Sequence, residues 1–117
     1  MAKKREKIDL SVTEQRALLS AWRLKEDATP TKIRKALEEA TSSHVALSTV
    51  YVSLVRLEKK KFLSSSWDEP EPVRGGKSNR VFRILPGGVK ALQRSRETIE
   101  ALWDGLESTK EWKESKA

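Results

Sequence analysis

The apolar period of this chain changes twice, and that change limits the folds open to it. Up to Lys60 the apolar residues recur at helical spacing. Between Phe62 and Leu85 they fall into two short runs parted by a stretch bearing two prolines and two adjacent glycines. From Val89 onward helical spacing returns. Such an order predicts a mainly α domain with one small β-hairpin. A hairpin of this size does not stand alone, so it must dock on the helices.

The blocks can be read residue by residue. Ala17, Leu18, Ala21, Trp22 and Leu24 place a first helix over Val12 to about Leu24, with Thr13 as its expected cap. Thr29-Pro30-Thr31 reads as a cap followed by proline at the first helical position, opening a second helix whose inner face carries Ile33, Ala36, Leu37 and Ala40. A polar turn through His44 leads to a third helix, from Ser48 as N-cap to about Lys60, with Val50, Leu54 and Leu57 as its inner stripe. The strands are expected over Phe62–Trp67 and Arg80–Leu85. Pro86 then opens a last helix of about 20 residues, about 30 Å long. On it Leu92, Ile99 and Leu106 repeat every seven residues, with Leu102 and Trp103 beside them.

Composition removes several function classes. The chain has no cysteine and a single histidine, so thiolate sites, cysteine nucleophiles and His-His metal sites are excluded. No histidine–carboxylate–nucleophile set stands out, and Gly75-Gly76-Lys77-Ser78 fails the phosphate-loop pattern because residue 71 is glutamate and a strand follows. No enzyme activity, cofactor or metal is expected. No apolar run reaches the roughly 18 to 20 residues of a membrane span, and the basic start lacks the apolar segment of a secretory signal. The expectation is a soluble cytoplasmic protein with no membrane partner.

Charge points to the partner. The chain carries a net charge of +7. Up to residue 90 there are 19 basic against 11 acidic side chains, and beyond it 5 against 6. A basic body with a neutral appendage suits a polyanion-binding protein. The outer side of the third helix sharpens this, because Thr49, Val52, Ser53 and Arg56 are mostly short and end in a guanidinium. Short side chains let a helix approach a groove floor, and Arg56 can reach a phosphate or a guanine edge.

Three helices, a basic hairpin and a long last helix form the winged helix-turn-helix order. Residues 47–92 resemble the PadR family of bacterial winged-helix transcriptional regulators. The resemblance rests on Ser48-Thr49-Val50-Tyr51, Leu54, Arg56-Leu57-Glu58-Lys59 and Phe62-Leu63. It continues through Gly75-Gly76-Lys77 to Arg80-Val81-Phe82-Arg83-Ile84, and to Gly88 at the start of the last helix. Where the family commonly closes its third helix with glycine, this chain has Lys61. Where the family has a capping threonine before the last helix, this chain has Leu85.

These readings together divide the chain into a basic arm (1–10), a winged helix-turn-helix domain (11–85), a dimerisation helix (86–110) and a charged tail (111–117). The expected DNA contacts are Ser48, Thr49, Tyr51, Val52, Ser53, Arg56, Arg74, Lys77 and Arg80. The expected dimer interface is Leu92, Ile99, Leu102, Trp103 and Leu106, because an apolar stripe on a monomer surface marks an interaction site. The expected function is a homodimeric repressor on a palindromic operator in double-stranded DNA. The resemblance adds a small hydrophobic or aromatic effector that shifts dimer geometry. The competing reading is a winged-helix protein-interaction module, favoured by the acidic Asp68-Glu69-Pro70-Glu71 stretch.

Overall fold

The computed structural model describes residues 9–68 and 79–116. The elements run α1 (Val12–Leu24), α2 (Pro30–Thr41), α3 (Leu47–Lys59), β1 (Leu63–Trp67), β2 (Arg80–Ile84), α4 (Pro86–Trp103) and α5 (Lys110–Ser115), with short 3-10 turns at Lys25–Asp27 and Leu106–Ser108. The two strands are antiparallel, with Ser65 opposite Phe82 and Trp67 opposite Arg80. They form the expected hairpin, one residue shorter than predicted at the start of β1 and at the end of β2.

The caps explain where the helices begin. Ser11, not Thr13, caps α1: its hydroxyl accepts the Glu14 N–H while Glu14 accepts the Ser11 N–H, a reciprocal capping box. Thr29 caps α2 with Pro30 at the first helical position, as its sequence predicts. The N-cap of α3 is Ala46, two residues earlier than expected and with no side-chain cap, so the Ser48 hydroxyl is not spent on capping. The turn before it is held by Glu38, whose carboxylate accepts the Val45 N–H at 3.0 Å and lies 3.3 Å from His44 Nδ1. The Val45 N–H, with Arg34 and His44 nearby, holds the Glu38 carboxyl below its ordinary range.

The core gathers Leu18 and Ala21 of α1, Ile33 of α2, Val50, Leu54 and Leu57 of α3, and Phe82 of β2, all fully enclosed or nearly so. Phe82 also donates its backbone N–H to Ala28 carbonyl oxygen at 3.0 Å, which ties the wing to the turn between α1 and α2. Among the described residues, one carboxylate is buried. Glu14 meets Lys60 Nζ at 3.1 Å, joining the start of α1 to the end of α3. Burial alone would raise the Glu14 pKa, but the Ser11 N–H and the Lys60 ammonium outweigh it and the net shift is downward.

Helix α4 belongs to the body only through its first two turns. Gly88, Ala91 and Leu92 are buried, whereas the residues beyond Leu92 are exposed except for half-buried Ser95. Leu92, expected at a dimer interface, is therefore part of the monomer's core. The helix also ends at Trp103 rather than near residue 110, because Asp104 leaves helical geometry and Gly105 takes φ +81°. Leu106 accordingly lies beyond the helix and does not extend its stripe. The expected charged tail is instead a short helix, capped by Thr109, whose Trp112 meets Trp103 edge-to-face at 5.7 Å.

Two backbone positions are set by close geometry. Lys61 has φ +68° and closes α3 with the paired bonds Phe62 N–H to Leu57 and Lys61 N–H to Glu58 that favour glycine there. A Cβ on Gly88 would lie 2.5 Å from the Phe62 carbonyl oxygen, so α4 can approach the hairpin base only through a glycine.

Three outcomes follow from these contacts. Lys61→Gly should stabilise the domain by up to about 1 kcal/mol in urea unfolding, and Gly88→Ala should destabilise it by about 1–3 kcal/mol through overpacking. Glu14→Gln should cost about 2 kcal/mol at neutral pH by removing a charge-assisted bond. Since the folded pKa of Glu14 is lowered, its contribution is complete above the usual glutamate range and is lost as pH falls through the folded value. The gap between wild type and Glu14→Gln should thus close on acidification; a gap independent of pH would refute the ion-pair account.

Candidate nucleic-acid interface

Helix α3 has three sides, set by 100° of rotation per residue. Val50, Leu54 and Leu57 face the core. Ser48, Thr49, Val52 and Arg56 form an exposed strip on the outer side. Tyr51 and Glu58, seven residues apart and so about 20° from alignment, face the wing.

The outer strip matches the expectation in all but one residue. Ser53 is only 6% exposed. Four residues beyond Thr49 is a rotation of about 400°, so Ser53 sits about 40° further round, toward buried Leu57. Thr49, Val52 and Arg56 keep free side chains: among the described residues, none makes a side-chain hydrogen bond or ion pair.

The wing side is built around Arg80. Its Nη2 donates to Glu58 Oε1 at 2.7 Å, its Nη1 donates to the Tyr51 hydroxyl oxygen at 2.7 Å, and its Nε donates to Ser65 Oγ at 3.1 Å. Ser65 in turn donates to Glu58 Oε2 at 2.7 Å, closing a ring of polar contacts. The guanidinium also lies within 5.1–5.8 Å of the ring centres of Tyr51, Trp67 and Phe82. Arg80 was expected as a free wing cation facing DNA. All three of its nitrogens are instead committed within the protein, because the Trp67–Arg80 pairing across the hairpin points it at Glu58. Sequence reading missed Glu58 as its partner, although the seven-residue spacing of Tyr51 and Glu58 was a usable signal.

This arrangement has a chemical consequence for Tyr51. Its oxygen accepts from Arg80, which leaves its own O–H free to donate, and the ring is exposed at the surface. A fixed donor of this kind suits an anionic oxygen. Arg74 and Lys77, the other expected wing contacts, lie outside the described residues. The expected dimer residues are separate from this surface: Ile99, Leu102 and Trp103 line the free half of α4, and Leu102 is 68% exposed.

If Arg80 positions the wing and Tyr51, Arg80→Gln and Glu58→Gln should give the same defect, and the double variant should be little worse than either alone. Each should lower the melting temperature and weaken duplex binding together. Strictly additive losses in such a double-mutant cycle would show that the two side chains act separately.

The fold has clear structural relatives. Neither a family model nor a curated protein matches the chain. Among solved structures, a PadR-like transcription factor from Bacteroides fragilis is 25% identical with a TM-score of 0.67, covering 80% of this chain and 84% of that one. A Streptococcus transcriptional regulator is 22% identical with a TM-score of 0.65, covering 82% and 89%. A PadR family transcriptional regulator from Eggerthella lenta is 22% identical with a TM-score of 0.60, covering 79% and 80%. With its helix-turn-helix, its Arg80-anchored wing and its projecting α4, the chain has the PadR-like winged-helix fold of transcriptional regulators.

Proposed function

We propose that the chain is a sequence-specific DNA-binding transcriptional regulator, a repressor that acts as a homodimer on a palindromic operator. The observation that carries this reading is the outer strip of α3, where Thr49, Val52 and Arg56 are exposed without partners among the described residues, beside a wing fixed by Arg80. A helix face of short side chains with one free guanidinium fits a major groove, with Val52 against a thymine methyl and Arg56 at a base edge or phosphate. Tyr51 donates to a phosphate, and Ser48 lies at the same helix start. The structural relatives described as transcriptional regulators support this reading.

A single α3 reads few base pairs, so a second copy related by twofold symmetry is required for useful specificity. The free half of α4, with Ile99, Leu102 and Trp103 exposed, supplies the surface for it. An effector of hydrophobic or aromatic character fits the cleft of about 500 Å³ between α1 and α4, lined by Leu19, Trp22, Leu92 and Ile99. The Trp22 indole provides the flat apolar surface that Ile99 lacks. A molecule held there would move α4 against α1, and α1 rests directly on α3.

Fragments selected from genomic DNA by the protein should share a palindrome whose half-sites are about 34–36 Å apart, or a multiple of that spacing. Thr49→Glu should abolish specific binding with fold and assembly intact, and Val52→Ala should cost about 1 kcal/mol at one base pair of each half-site. Ser53, being buried, is no longer a clean probe for this purpose. Leu102→Asp should dissociate the dimer in ultracentrifugation and weaken binding with it. A wild-type monomer at micromolar concentration would end the dimer reading, and unchanged specificity in both α3 variants would leave the protein-interaction reading in its place.

A further inference from the structure

On the side of α3 away from the wing, the start of α1 and the outer strip enclose an open cleft of about 320 Å³. Ser11 and Thr13 of α1 face Thr49, Ser53 and Arg56 of α3 across it. Hydroxyls and one guanidinium supply its polar groups, and no carboxylate lines it. The nearby acid, Glu14, has its charge matched by Lys60 at 3.1 Å. Helix α1, of 13 residues, opens toward this region, and with the Glu14 N–H taken by the Ser11 hydroxyl the amides of Val12 and Thr13 have no partner within the helix.

Ser53 gives the independent sign of a ligand. It is more than nine-tenths buried, it lines the cleft, and its hydroxyl finds no hydrogen-bond partner among the described residues. That oxygen is not sealed in the interior either, since Arg34 Nε is the occluded unpaired side-chain atom among the described residues. A serine held in this way retains one open direction, into the cleft. Alanine would fill the same space without leaving a polar group to satisfy.

We infer that this cleft seats a phosphodiester group of bound DNA, so that α1 grips one strand while α3 reads the adjoining groove. The inference rests on the DNA-binding reading and adds α1 to the contact surface. Three features select a backbone phosphodiester. The cleft is open rather than enclosed, it shares Thr49 and Arg56 with the reading face, and it offers donors with a single positive charge. One guanidinium with neutral donors matches the single charge of a phosphodiester, whereas a free phosphate dianion would call for more. Thr13 and Ser53 donate by hydroxyl, and Arg56 closes the seat from the α3 side.

The test uses the full chain and a duplex recovered by selection, with one backbone phosphate at a time replaced by a neutral methylphosphonate. In wild type one position in each half-site should lower affinity roughly tenfold, the loss of one charge-assisted contact. Thr13→Ala and Ser53→Ala should each weaken binding on the unmodified duplex, keep the melting temperature, dimer state and preferred sequence, and lose most of their sensitivity at that same position. Arg56→Gln should in addition flatten the log–log salt dependence by about 0.9 for each lost contact. The inference is overturned if both alanine variants bind as wild type, or if they remain as sensitive as wild type at every position. Shifts in the Val12 and Thr13 amide resonances with inorganic phosphate alone, at constant ionic strength, would overturn it in favour of a free-anion site. Specific binding with no such phosphate defeats only this inference, while a wild type that binds no duplex at any salt defeats the DNA-binding reading with it.

Discussion

The Arg80 guanidinium is the contact on which the working geometry of this protein depends. The hairpin has two strands and a thin apolar face: β1 reads Leu-Ser-Ser-Ser-Trp, and of these only Leu63 is buried. A two-stranded ribbon with so little to bury gains its orientation elsewhere. Phe82 anchors the middle of β2 in the core, and Arg80, two residues earlier on the same face, carries the fixation out to the tip of the ladder. Because its partners Glu58 and Tyr51 are on α3, Arg80 ties the hairpin directly to that helix. Its charge is neutralised by Glu58 in a half-buried setting where the pair also satisfies Ser65. A lysine could not make these three bonds, since they use the planar fork of the guanidinium.

A second tie holds the C-terminal end of α3 from the α1 side. Glu14 and Lys60 join residues 46 positions apart, and the capping box that starts α1 uses the same carboxylate. The Glu14 side chain therefore sets both where α1 begins and how it leans on α3. This fixes Ser11 and Thr13 beside Thr49 and Ser53, so the α1–α3 cleft is a product of helix packing rather than of a loop. Sites held by rigid elements keep their geometry better than sites on connecting segments.

Much of this was legible in the sequence because it depends on local rules. The helical stripes of Val50, Leu54 and Leu57, the Thr29-Pro30 start, the hairpin and the resemblance of residues 47–92 to a winged-helix family all follow from period, turn chemistry or motif. The misreadings of Ser53, Arg80 and Leu92 come from tertiary contacts, and that of Ser11 from a local pattern. Ser53 looked like a groove residue because i and i+4 were treated as one line, when the 40° offset turns it toward buried Leu57. Arg80 looked free because its partner Glu58 lies 22 residues away. Ser11 was passed over for Thr13, although Ser11 stands three residues before Glu14 in the reciprocal pattern. Leu92 fitted a seven-residue stripe and still belonged to the core, since a stripe identifies a face but does not say which neighbour covers it.

The shape of α4 bears on how the proposed dimer would form. From Ile99 to Trp103 the helix presents apolar surface with little of the body beneath it, and at Gly105 the chain turns, a residue whose added Cβ would meet nothing within 4 Å. Steric demand therefore does not explain the glycine; its φ of +81° does. That turn brings Trp112 against Trp103, and Lys116 lies 4.7 Å from the Trp112 ring centre, so the last helix thickens the end of α4 rather than extending it. Ile99, Leu102 and Trp103 are already partly covered in the monomer, so burying what remains is worth only part of the gain of about 1.5–3 kcal/mol for a fully exposed apolar side chain. In a twofold interface every such contribution occurs twice, against an association cost of about 4–15 kcal/mol. Three residues from each copy would form the centre of the proposed interface, with Trp112 widening the surface at its edge. In the proposed dimer this surface would pair two copies of α3, and the proposed effector beside Trp22 would act on it through α4.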